Sequence, residues 1–349
     1  MDEILISILT TLLSFTPFAL IYWFFNIAEK QSDPQQKKRI KLILLTLVAL
    51  GFTSLMFLGF LFQLFALLFS VNPTIESLFL KDLQQELQIQ NFSKQFSLLG
   101  FSLWIPSLVA LILLIPAVRR GIARFIPIQS SNSIHTVTLL LSTLIFVQLG
   151  STLAVGLESL SLMISDESSE SIIAQLWAQD LMLFLIACLG VGYLTRRNWS
   201  ETLQRLGLGK ITSTQFLLGI GIAIGLVIAA YFLEIVLAPI MDQDVQKLTE
   251  KLIGPLFTSI PGVITLGLAA AIGEEAIFRG ALQPRFGLWL TSLLFALVHS
   301  NYGLSLSTVI VFGVGLCLGI VRNRFNTTIA MLVHATYNIC LGFISYFQT

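Results

Sequence analysis

Charge is what this chain has least of. Asp, Glu, Lys and Arg make up only 11% of its 349 residues, against 55% hydrophobic ones; a soluble globular domain carries about 25% charged residues. So little polar surface cannot coat a water-soluble particle of this size, and the solvent it implies is lipid. Cysteine is also sparse. Cys188, Cys317 and Cys340 lie in apolar runs without paired spacing, which excludes a disulfide framework and a CxxC metal site. They read as small buried hydrophobes. No HExxH sequence occurs, so the usual zinc-protease helix is excluded. No serine or cysteine stands in an obvious nucleophile context. A net charge of +1, with no basic tract beyond membrane-flanking loops, argues against a nucleic-acid partner. Met1-Asp2-Glu3 lacks the positive n-region of a signal peptide, and the long apolar run after it reads as a retained first span.

What the chain does have is apolar length. About ten segments suit a crossing of roughly 20 residues. They lie near 4–25, 42–69, 97–118, 136–156, 178–195, 214–238, 256–278, 287–299, 304–321 and 327–347. The eighth is too short for a full crossing. The expected fold is an all-α polytopic membrane helix bundle.

The loops alternate in charge. Lys37, Arg39, Arg119, Arg196, Arg285 and Arg322 stand in basic loops, whereas Asp166, Glu167, Asp242 and Asp244 stand in acidic ones. By the positive-inside rule the basic loops are cytoplasmic, both termini lie outside, and the span count is even. The expected location is a prokaryotic cell membrane, with lipid as the surrounding partner. Residues 72–95 and 157–177 read as solvated external connectors, with an interfacial helix as the alternative. The chain divides loosely at residue 175. Residues 1–174 are a membrane-helix region without an assignable role, and residues 175–349 carry every candidate reactive group.

A charged side chain at the centre of a membrane helix costs about 2.5–3.5 kcal/mol on insertion scales, so such groups are functional by default. Here they cluster. Glu274, Glu275 and Arg279 close the seventh segment, His299 ends the eighth, and His334 and Asn338 share the tenth. Glu275 and Arg279 are four apart and share a helix face, where they neutralise each other. Glu274 lies about 100° round the helix, free to face a cavity. Pro284 limits continuation of that helix. His334 and Asn338 also project to one side, as do Phe295 and His299. Glu274, His299 and His334 can all fall in the cytoplasmic half of the membrane, with His299 deepest. Gly221/Gly225, Gly315/Gly319 and Gly273 would allow close packing. His135, beside a basic loop, reads as interfacial.

These residue types suit hydrolysis of an amide. A carboxylate can take a proton from water, with an imidazole orienting that water. A second imidazole and a carboxamide can donate to a tetrahedral oxyanion. The same side chains are also zinc ligands, and a zinc alternative would use Glu274, His299 and His334.

Taken in order on successive membrane segments, EExxxR, FxxxH and HxxxN resemble the CPBP family of intramembrane proteases. That family includes the type II CAAX prenyl endopeptidases and the bacterial Abi and bacteriocin-immunity proteins. The resemblance covers about residues 175–347, and Leu206-Gly207-Leu208 also resembles a stretch that precedes the core in bacterial members. It implies Glu274 as the base that activates water, with His299 sharing that water. His334 and Asn338 would form the oxyanion hole, with Glu275 and Arg279 in support. Family members carry a metalloendopeptidase label, and a metal-free glutamate mechanism is the preferred expectation here. The expected function is an intramembrane endopeptidase acting on a membrane-bound or lipid-anchored peptide reached from the cytoplasmic side. The alternatives are a non-catalytic scaffold or immunity protein that keeps the family pocket, and a proton-coupled transporter.

Overall fold

The computed structural model describes residues 2–72, 92–164, 167–237 and 242–348. Its helices are α1 (Asp2–Lys30), α2 (Pro34–Val71), α3 (Phe92–Leu113), α4 (Pro116–Ile122), α5 (Ser133–Val155), α6 (Leu157–Met163) and α7 (Ser169–Val191). They continue as α8 (Trp199–Leu206), α9 (Ser213–Leu237), α10 (Gln243–Ile253), α11 (Ile260–Glu275), α12 (Gln283–Val298), α13 (Leu306–Arg324) and α14 (Thr327–Tyr346). No β-strand occurs among the described residues. Hydrocarbon offers no partner to a peptide group, so apolar segments satisfy their backbones internally as helices. Among the described residues nine helices are long and apolar enough to cross a membrane. The protein is an all-α, polytopic integral membrane protein.

The nine helices and the ten sequence segments differ at one place. The seventh and eighth segments form one helical stretch, Ile260–Val298, of 39 residues. Straight, it would run about 58 Å at 1.5 Å per residue, well beyond a hydrocarbon core of about 30 Å. It is not straight. A π-helical turn spans Ala276–Leu282, and Gly287 breaks the stretch with φ 76° and ψ 172°. Pro284 does not end the helix as expected, because it falls in the first turn of α12, where a missing N–H is tolerated. The reversal comes three residues later, at a glycine that accepts a positive φ. Gly287 lies beside Pro127, ahead of α5. Beyond the far end of α12, Ser300 Oγ accepts from Gln148 Nε2 at 3.1 Å and Thr152 Oγ1 at 3.2 Å. α12 therefore runs back along α5, and the two segments make a hairpin.

Other boundaries shift. The third segment stops at Leu113, and Pro116 opens the separate helix α4. The fifth begins at Ser169, capped by Ser168, so Asp180 falls inside α7 rather than near its start. The division at residue 175 also falls inside α7. The 157–177 connector is largely helical, as α6 and the opening of α7. Most of the 72–95 connector, and Asp166, lie outside the described residues.

α7 and α14 flank α11, α1 lies along α7, and α12 packs on α13. A buried apolar cluster that includes Phe52, Leu140, Phe278, Phe295, Leu318 and Val333 ties the N-terminal helices to the later ones. Gly315 and Gly319 meet side chains of α12, whereas nothing among the described residues approaches Gly221 or Gly225 within 4 Å.

Candidate active site

α11 starts on a firm cap, with Ser259 Oγ accepting from Gly262 N at 3.2 Å and Pro261 in the first turn. It ends with Glu274 and Glu275, just before the π-turn. Such widened turns often occur at functional sites. The two carboxylates point into different surroundings.

Glu275 and Arg279 are each fully buried, and Arg279 Nε donates to Glu275 Oε2 at 3.1 Å. The other oxygen, Oε1, lies 3.1 Å from His334 Nδ1 of α14. The Arg279 guanidinium sits 4.8 Å over the Phe295 ring, a placement that replaces some of its lost hydration. The expected Glu275–Arg279 pair is therefore present, and His334 joins it.

Glu274 lines a cavity of about 860 Å³ together with His299. Glu274 Oε1 lies 3.9 Å from His299 Nε2, and Glu274 Oε2 is buried with no hydrogen-bond partner among the described residues. His299 Nδ1 stands 2.8 Å from the Phe295 carbonyl. A carbonyl only accepts, so Nδ1 carries a proton, and when the ring is neutral its Nε2 presents a lone pair towards Glu274. Tyr302 stacks on the imidazole, with the ring planes 4° apart.

His334 and Asn338 do not line this cavity. They sit behind α11, where Asn338 Nδ2 donates to the Leu266 carbonyl at 3.4 Å. The Phe295 ring neighbours both imidazoles, 5.1 Å from His299 and 6.0 Å from His334. Glu274 and His299 thus form one group, and Glu275, Arg279 and His334 form a second beside it. Among the described residues no three His, Cys, Asp or Glu side chains gather closely enough to hold a metal ion. Of the alternative zinc donors, Glu274 and His299 line the cavity, whereas His334 does not line it and its Nδ1 lies 3.1 Å from Glu275 Oε1.

One polar residue escaped the sequence reading. Asp180, midway along α7, is 1% exposed, and its Oδ1 is buried without a hydrogen-bond partner among the described residues. A methyl group at Gly273 would lie 2.5 Å from that oxygen and 2.6 Å from the Asp180 carbonyl. The signal was a carboxylate in an apolar run, hidden by placing the helix start at residue 178.

The cavity also draws walls from the N-terminal half, including Phe15, Phe18 and Tyr22 of α1 and His135, Leu141 and Ile145 of α5. His135 Nδ1 accepts from Gln129 N at 2.9 Å.

The fold and this site define an integral membrane protein whose candidate reactive side chains are held between its helices. Comparison with known proteins narrows the class: residues 256–340 match the family model of the type II CAAX prenyl endopeptidase Rce1-like proteins. The segment similar to the Rce1-like family contains Glu274, His299, His334 and Asn338. A stretch of 44 residues is 52% identical to the uncharacterized protein YpbD of Bacillus subtilis (strain 168), covering 13% of this chain and 23% of that protein. The chain therefore matches less than a quarter of that relative's length. No solved structure matches the chain.

Proposed function

We propose that the protein is an intramembrane endopeptidase that hydrolyses a peptide bond of a membrane-bound or lipid-anchored substrate with water activated by Glu274. One observation carries the reading. Two acceptors, Glu274 Oε1 and His299 Nε2, face each other at 3.9 Å on the wall of a cavity inside the helix bundle. That separation is too long for a direct hydrogen bond, and a water molecule with two protons can donate to both. Glu274 takes one proton as the water oxygen attacks the peptide carbonyl carbon. The same proton then passes to the leaving amine as the tetrahedral intermediate collapses. His334 and Asn338 are assigned as donors to the oxyanion; neither lines the cavity, so this role requires substrate binding to bring α14 up to the Glu274–His299 pair. With Nδ1–H committed to Glu275, His334 must be imidazolium to donate from Nε2. Glu275 and Arg279 hold that ring in place.

The basic loops are assigned to the cytoplasm of a prokaryotic cell, with substrate entering from that side. The test is proteomics of membrane peptides in cells carrying wild type or Glu274→Ala. Substrates accumulate uncut in the variant while the protein reaches the membrane at the same level. Full cleavage in both Glu274→Ala and His334→Ala would end the proposal.

A further inference from the structure

The cavity has a second charged region that hydrolysis does not use. Arg196, Arg197, Arg205 and Arg285 line its end near the C-terminus of α7. Among the described residues none of the four makes an ion pair. Their hydrogen bonds go to neutral acceptors. Arg196 Nε and Nη2 donate to Asn26 Oδ1 at 2.9 and 2.6 Å, Arg197 Nη1 to the Val191 carbonyl, and Arg205 Nη1 to the Gly280 carbonyl at 3.2 Å. Arg285 Nε is buried with no hydrogen-bond partner among the described residues. Glu201 lines a neighbouring pocket together with Arg196, Arg197 and Arg205. Its Oε2 is committed to Asn198 N at 2.9 Å, in the cap of α8. Burial, then Arg285, Arg197 and Arg322, push the Arg205 guanidinium down to about 10. Positive charge is crowded here, and Glu29, the carboxylate that acts on Arg196, is taken up by Lys37 and Lys41.

From this end the cavity follows one stripe of α7, through Ala187, Ile186, Leu183 and Leu176 to Ile172. Val191 to Ile172 spans about 28 Å at 1.5 Å per residue, close to the hydrocarbon thickness of about 30 Å. Phe15, Phe18, Leu141 and Leu144 face the same space. The helices on these walls have spent their backbone groups on their own hydrogen bonds. The wall is apolar in the main, with Ser14 of α1, Ser142 and Gln148 of α5 and Gln175 and Gln179 of α7 among its polar members, and a hydrocarbon chain suits its apolar residues.

We infer that the arginine end of this cavity binds the phosphate of an anionic phospholipid, with an acyl chain lying against α1, α5 and α7. Basic pockets between membrane helices suit lipid head groups, and arginine matches phosphate geometry with several donors at once. Three of the four arginines and most of this wall lie outside the Rce1-like segment. The site therefore stands whether or not Glu274 is a catalytic base, and it gives the N-terminal helices a role.

The test is native mass spectrometry of the full chain, released from detergent with phosphatidylglycerol or phosphatidylcholine. Phosphatidylglycerol is retained preferentially. Arg205→Gln and Arg285→Gln each weaken it about fivefold, the equivalent of about 1 kcal/mol per basic residue, with gel-filtration profiles unchanged. Wild type alone provides a second reading. Phosphatidylglycerol with a photoreactive group on its acyl chain labels Phe15, Phe18 or Leu141. Equal retention of the two lipids, or labelling confined to outward helix faces, overturns the assignment. So does retention of the preference in folded variants. A soluble peptide with a free C-terminal carboxylate is the competitor. If it binds in an arginine-dependent way while phosphatidylglycerol does not, the cluster serves peptide and the lipid proposal fails.

Discussion

His334 Nδ1 and Glu275 Oε1 lie 3.1 Å apart, joining α14 to α11 through a carboxylate whose other oxygen accepts from Arg279 at 3.1 Å. Breaking a buried ion pair leaves an uncompensated charge and costs about 3–5 kcal/mol. Glu275→Ala strands the buried Arg279, so it destabilises the protein by about that amount. Glu274→Gln behaves differently: it removes a carboxylate with one unpartnered buried oxygen, so unfolding is unchanged or slightly delayed while cleavage is lost. Thermal unfolding in detergent, run beside a peptide-cleavage assay, separates the two. Equal loss of stability in both variants would contradict the division of labour between the two glutamates.

Gly273 tests the contact of α11 with α7. Its added methyl would meet Asp180 backbone atoms as well as the side chain, at 2.6 Å from the carbonyl oxygen and 2.7 Å from Cα. Gly273→Ala therefore forces the helices apart, with an overpacking cost of about 1–3 kcal/mol. It also displaces the adjacent Glu274. Trimming the side chain cannot relieve a backbone clash. Asp180→Ala thus fails to restore the melting temperature of Gly273→Ala, and recovery in the double variant would show that the side chain alone sets the spacing.

Phe295 serves both groups at once. Its ring lies 4.8 Å under the Arg279 guanidinium and 5.1 and 6.0 Å from the rings of His299 and His334. Phe295→Leu keeps apolar bulk and removes the π face. A desolvated cation–π contact is worth about 2 kcal/mol, and the variant loses roughly that much stability. A double-mutant cycle with Arg279→Leu measures the contact directly. A coupling energy near zero would mean that Phe295 acts through packing alone.

What sequence could reveal here depended on range. The Glu275–Arg279 pair follows from four-residue spacing on one helix, and apolar length alone gives the all-α membrane bundle. Spacing could not reveal that His334, 59 residues further on, would meet Glu275 while Asn338 turns to the Leu266 carbonyl. Those contacts depend on how α14 rotates against α11, which no local pattern encodes. Asp180 was missed for another reason. Apolar content alone cannot place a helix start whose first turns are polar, so Ser168 as N-cap moved the boundary and turned an apparent end residue into an interior one. The hairpin reversal shows the same limit. Proline was the visible breaker, yet Pro284 fits the first turn of α12 and Gly287 makes the break.

The Leu206-Gly207-Leu208 stretch gains a mechanical role from the way α8 meets α14. Thr327 Oγ1 donates to the Leu206 carbonyl at 2.6 Å, and Thr327 N donates to the Gly207 carbonyl at 3.0 Å. Gly207 holds φ 74°, and a methyl group there would lie 2.9 Å from Thr327 Oγ1. A left-handed conformation costs a residue with a side chain roughly 1–2 kcal/mol. Gly207→Ala adds displacement of the hydroxyl that fixes the first turn of α14, the helix carrying His334 and Asn338. Its expected result is a lower melting temperature together with slower cleavage. Thr327→Ala removes the steric part and leaves the backbone strain, so Gly207→Ala costs less in that background than in wild type. An identical cost in both backgrounds would mean that the backbone conformation alone accounts for the glycine, and that Thr327 docks α14 independently of it.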